Sequence, residues 1–153
     1  MKLDFFDEFT DPYLKTNSGR GVFLAGVVLG FIARAQVKDD LQGSPEDIGS
    51  SPLFKQLNFG RMNKRDLYKH LARVPELVRA YHLDYADMIE SLCAKAGELI
   101  LQKDDKGRDL GVDGNFVFSV AFLNARKYFW TIFGKKDVSE IEPTMEEETQ
   151  DVI

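Results

Sequence analysis

The run VFLAGVVLGFIA, residues 22–33, constrains this chain more than any other feature. It holds 12 apolar or small residues between Arg20 and Arg34, whereas a bilayer crossing takes roughly 20. A buried helix is the solution that remains. Gly26 and Gly30 lie four residues apart and so share one helix face, a spacing that lets a neighbouring helix approach closely. Tight packing inside a helical bundle is the expectation.

The rest of the chain repeats the helical period, and strand alternation is scarce. The segment from Leu3 to Leu14 is aromatic and acidic, with Phe5, Phe6 and Phe9 spaced to cap a bundle and Pro12 interrupting it. Asn17 and Ser18 offer N-caps for a helix running to about Val37. Residues 39–52, DDLQGSPEDIGSSP, read as a long connecting loop, followed by a helical turn from Pro52 to Leu57. Asn63 then caps a helix whose apolar stripe is Leu67, Leu71, Val74, Val78 and Tyr81, with a kink or break expected near Val74 because Pro75 follows it. Asp84 caps the next helix, and Asp113 or Gly114 opens a last one, FVFSVAFLNARKYFWTIF, which ends at Gly134 and the pair Lys135 and Lys136. The predicted fold class is all-α. A single compact bundle of about five helices occupies residues 1–136, with a disordered acidic tail over 137–153.

That tail conceals the charge of the body. Over the full 153 residues, 20 Lys and Arg face 25 Asp and Glu, but seven of the acids lie beyond residue 136, where there is no Lys or Arg. The body carries 20 cations against 18 acids. One cysteine, Cys93, excludes an intrachain disulfide, and His70 and His82 are too few to build a zinc site with it. The start, MKLDFFDEF, lacks the basic and apolar regions of a signal peptide, so the expected location is the cytoplasm, with no membrane partner. Motifs for a catalytic serine, a P-loop, a dinucleotide fold or a zinc protease are absent. The aspartates of 104–113 fit no calcium-loop register. Cys93 reads as a small core residue, and no enzyme activity, metal or cofactor is expected.

One stretch stands against this neutral background. In LNFGRMNKRDLYKHLARV, residues 57–74, Arg61, Lys64, Arg65, Lys69 and Arg73 crowd together against Asp66 alone. On a helical wheel the apolar stripe stays within about 40° of Leu67, while Arg65, Lys69 and Arg73 fall about 160° to 240° away. They form one row on the outer face. Like charges at i, i+4 and i+8 cost a few tenths of a kcal/mol per pair, and none of the three has an acid at i+4. Either the row is an ordinary solvated face or it meets a polyanion. The wider window from Leu53 to His82 adds Lys55 and Arg79 and one further acid, Glu76, with Phe59, Tyr68 and Tyr81 interleaved. This is the composition that phosphate neutralisation uses, with no helix-turn-helix signature for base reading.

The order of these phrases carries a resemblance. FLAGVVLGFIARAQ, a polar loop, PLFKQLNFGRMNKRDLYKHL and the aromatic FVFSVAFLNARKYFW together resemble, over about residues 20–134, the C-terminal region of the large subunit of type I-B CRISPR Cascade complexes. LGFIARAQ followed by LNFGRMNKRDL is the most specific part. In that family the same helical domain is also made as a free small subunit from an internal start, and this chain begins with Met at about that place. The resemblance implies a helical bundle present in several copies, with the large subunit, the backbone subunits, crRNA and the target and displaced DNA strands as partners. Sequence choice in such machines belongs to base pairing, the protein adding backbone contacts and charge.

The combined expectation is a non-catalytic subunit that holds nucleic-acid backbone. Arg65, Lys69 and Arg73 neutralise phosphates along one helix face, and Arg61 and Lys64 act at its N-terminal end, where free N–H groups also favour phosphate. Arg20, Lys55, Arg126 and Lys127 extend the groove. The alternative is a helical protein-interaction adaptor that uses its aromatic last helix and leaves the basic face to water.

Overall fold

The computed structural model describes residues 1–38, 48–102 and 110–134. Among them the chain forms seven α-helices and no strand. These are α1 (Asn17–Lys38), α2 (Pro52–Gln56), α3 (Lys64–Ala72), α4 (Val74–Ala80), α5 (Ala86–Ile100), α6 (Gly111–Leu123) and α7 (Ala125–Phe133). Short 3₁₀ turns lie at Asp4–Glu8, Pro12–Lys15 and Ile48–Ser50. The fold is all-α as expected. The tail over 137–153 and the pair Lys135 and Lys136 lie outside the described residues.

The helix count exceeds five because two predicted helices are broken. The stripe from Leu67 to Tyr81 splits into α3 and α4 at Arg73, next to Pro75, where a break was expected. The second break was not. Asn124, at φ −113° and ψ 26°, separates α6 from α7, and its Nδ2 donates to the Val120 carbonyl at 2.8 Å. A short amide side chain that bonds nearby backbone competes with helix continuation in this way.

Helix α1 is the axle, packing against every other helix, with Val22 to Leu29 almost wholly buried. By length and composition Asn17–Val37 would pass for a membrane span, yet 78% of that window is buried within the molecule, as befits a core helix. Its small residues set the spacing. A Cβ at Gly26 would come within 2.8 Å of the Phe118 carbonyl oxygen and of Ala121 Cβ on α6, and one at Gly30 would collide with the Phe122 carbonyl. Gly21 does the same for α5, where a Cβ would stand 2.7 Å from the Ile100 side chain. The glycine spacing therefore does bring a neighbour into close contact, and that neighbour is α6.

Two predicted caps are replaced. Thr16, one residue before Asn17, caps α1 by accepting from the Gly19 amide at 2.9 Å. Helix α5 starts without a side-chain cap from Asp84. Instead Tyr85 adopts left-handed φ of 66° and sets its ring edge-on to Trp130 at 4.8 Å. Helix α6 begins at Gly111, two residues before Asp113. Asn63 does cap α3, accepting from the Asp66 amide at 2.8 Å, and Gly134 closes α7 in the left-handed conformation.

The N-terminal turns lie across one end of the bundle. Phe5, Phe6 and Phe9 contact Phe23 of α1, and Phe5 and Phe9 also reach Tyr128 of α7. The Lys2 amide donates to the Ile132 carbonyl at 2.7 Å.

Candidate nucleic-acid interface

The basic helix α3 owes its orientation to its own stripe. Leu67 and Leu71 are buried, as are Val74 and Val78 in α4, which leaves the opposite side of α3 facing water. Arg65, Lys69 and Arg73 are all exposed there. The chain enters α3 through a turn at Asn58–Arg61, closed by the Arg61 amide donating to the Asn58 carbonyl at 3.0 Å. Gly60 holds φ of +86° in that turn, which a residue with a Cβ rarely adopts. Arg61 projects from this turn exposed, and Lys64, the first residue of α3, is half-buried.

Two long-range clamps fix the segment. Buried Asn115 of α6 accepts from the Met62 amide at 2.9 Å and donates from Nδ2 to the Met62 carbonyl at 3.3 Å. Buried Gln36 of α1 accepts from the Ser51 hydroxyl at 2.5 Å and from the Leu53 amide at 3.0 Å, pinning the start of α2. Lys55 on α2 is exposed. Its neighbour Gln56 accepts from Arg73 Nη1 at 3.1 Å, tying α2 to the end of α3.

Arg73 also lies 3.9 Å from Glu76 Oε1. The row is therefore opposed at one end by an acid at i+3, although no acid stands at i+4. Between exposed groups such a pair contributes little, and Arg65 and Lys69 remain the freer charges of the row.

A half-open cleft of about 210 Å³ lies beside this row, lined by Asn58, Met62, Asp66, Lys69, His70 and Arg73. Burial pushes the His70 imidazole below its ordinary value, the Arg73 guanidinium pushes the same way, and Asp66 offsets them in part. Asn58 and the clamp residue Asn115 have no place in the sequence expectation, which takes Asp66 only as an opposing charge and His70 only as one of two histidines. Asn115 had a visible signal, a lone amide in the apolar run FVFSVAF and its approach, but its partner is 53 residues away.

The nine candidate residues are carried by several elements. Lys55, Arg61, Lys64, Arg65, Lys69 and Arg73 belong to the α2–α3 region. Arg20 lies in α1 beside the N-terminal turns, and Arg126 and Lys127 lie in α7. Arg20 Nε donates to the Leu14 carbonyl at 2.9 Å, its Nη2 lies 3.7 Å from Asp7, and its guanidinium stands 5.2 Å from the Phe6 ring centre. Those contacts hold the N-terminal turns to α1. Lys127 sits 5.4 Å over Tyr128, and Arg126 is exposed on α7.

Cys93, expected as a small core residue, is half-buried with its Sγ 3.3 Å from the Leu71 carbonyl. Burial, with a smaller push from Glu90, raises its thiol to about 11. Among the described residues no cluster of His, Cys, Asp and Glu is arranged to hold a metal ion.

Comparison with known proteins places this geometry in a family. No curated protein and no solved structure matches the chain. The family model for the CRISPR-associated protein TM1802 C-terminal domain matches residues 2–136, which covers all seven helices, and the chain belongs to that family.

Proposed function

We propose that this chain is a non-catalytic small subunit of a type I-B RNA-guided surveillance complex, acting in the cytoplasm. There it holds nucleic-acid backbone without sequence preference and stabilises the displaced DNA strand of the R-loop. Its partners are the large and backbone subunits, crRNA, the target DNA and further copies of itself. The observation that carries the reading is the exposed row of Arg65, Lys69 and Arg73 on α3, continued by Arg61 and by Lys55 on α2, in a chain that belongs to a CRISPR-associated family.

The test is the triple change of Arg65, Lys69 and Arg73 to Glu. These side chains lie opposite the buried stripe, so helical content and assembly are expected to survive while DNA capture by the assembled complex weakens. Each lost phosphate contact lowers the slope of log K against log salt by about 0.7 on a single strand. The isolated chain is expected to bind DNA in roughly the 10⁻⁴ to 10⁻⁶ M range of non-specific contacts. Unchanged affinity and salt slope in the Glu variant would remove the row from the interface.

A second reading, the protein-interaction adaptor, has its own observation. Helix α6 exposes Val112 at 87%, Phe116 at 66% and Leu123 at 53% on the side away from its buried residues. An apolar contact there would persist at salt concentrations that dissolve phosphate contacts.

A further inference from the structure

We propose that the cleft between the Asn58–Met62 turn and α3 seats one unpaired nucleotide of a single strand, with its base against His70 and its phosphate on Lys69 and Arg73. This rests on the backbone-binding reading above and adds a base contact to it.

The lining distinguishes a nucleotide seat from a plain anion site. Lys69 and Arg73 suit a phosphate, but Asp66 lines the same cleft and repels one. A carboxylate beside Asn58 and an imidazole makes chemical sense when the occupant also brings N–H donors and acceptors, as a base edge does. His70 supplies a flat ring, a face on which a base stacks, and the buried Met62 closes the floor of the cleft. The imidazole favours its uncharged form because burial and Arg73 both disfavour the proton, so it meets the base as a neutral ring.

Size agrees with this occupant. About 210 Å³ is below the roughly 300–1,000 Å³ of sites that enclose a drug-sized ligand, a size that suits one base. The cleft is also built before anything binds. Asn115 holds the Met62 backbone on both sides, Asn63 caps α3, and Gln56 and Glu76 brace Arg73. Preorganisation of this kind lowers the ordering cost of binding.

The experiment uses the full chain and fluorescence anisotropy with a labelled oligothymidylate, compared with a strand of equal phosphate number in which the central sites are abasic. A matched oligouridylate run in parallel decides whether the sugar is deoxyribose or ribose. The base-bearing strand is expected to bind about five-fold or more tightly than the abasic one, the low end of a single base stack. Asn58→Ala and His70→Ala are each expected to shrink that gap, whereas Lys69→Gln weakens both strands alike. Asn58 is exposed, so its variant keeps the test alive should His70→Ala fail to fold. Equal binding of base-bearing and abasic strands, with both weakened by Lys69→Gln, would overturn the nucleotide seat and leave the phosphate row standing. Failure of both strands to bind would overturn the seat and the phosphate row together.

Discussion

His70 occupies a position where one proton changes the stability of the fold. Its imidazole is held below the ordinary value of 6.5 by burial first and Arg73 second. The unfolded chain therefore binds a proton more readily than the folded one, so the neutral ring's contribution to stability is present above about pH 6.5 and is lost as pH falls below it. Urea unfolding at pH 5 and at pH 7 checks it, with the wild-type chain expected to lose more stability on acidification than His70→Gln. Cys93 gives a second residue-scale expectation. With its thiol raised to about 11, almost none is thiolate at pH 8, so alkylation of the folded protein is expected to be slow and to become fast on addition of denaturant.

At the scale of elements, α6 is where the bundle and the basic segment meet. Its inner face accepts the backbone of α1 through Gly26 and Gly30, while its Asn115 reaches out to the Met62 backbone. Asn115→Leu leaves a buried amide and carbonyl without their partner and is expected to lower stability by about 1–3 kcal/mol, read as a shift in urea midpoint. Gly30→Ala drives a methyl group into the Phe122 carbonyl and is expected to cost at least about 1–3 kcal/mol of overpacking. The glycine pair in α1 and the stripe of α3 were legible from sequence because each is a local period that one helix expresses alone. The Pro75 break was legible for the same reason. The break at Asn124, the Thr16 cap and the clamps of Gln36 and Asn115 were not, because each depends on which backbone group comes within reach once the bundle has closed. Of the candidate site, the exposed row could be seen in advance, and the cleft beside it could not, since a third of its lining, Asn58 and Met62, comes from the turn before α3 and its rigidity from α6.

For the molecule as a whole, the cationic candidates divide by position. Those of α2, α3 and their connecting turn share a region with the cleft, while Arg20 spends its hydrogen bond, ion pair and ring contact on the N-terminal turns. Arg20→Gln is accordingly expected to loosen those turns and lower the melting temperature while leaving the salt slope for DNA nearly unchanged. Thermal denaturation and a salt titration on the same variant separate the two roles. The hydrogen bond from the Lys2 amide to the Ile132 carbonyl has a different consequence. It places the entry and exit of the described fold side by side, so the bundle can hang from any longer architecture by a single stalk, pivoting as one piece without pulling its two ends apart. A circular permutant with residue 134 joined to residue 1 through a few glycines, and new ends opened between α5 and α6, is expected to fold with the same helical content.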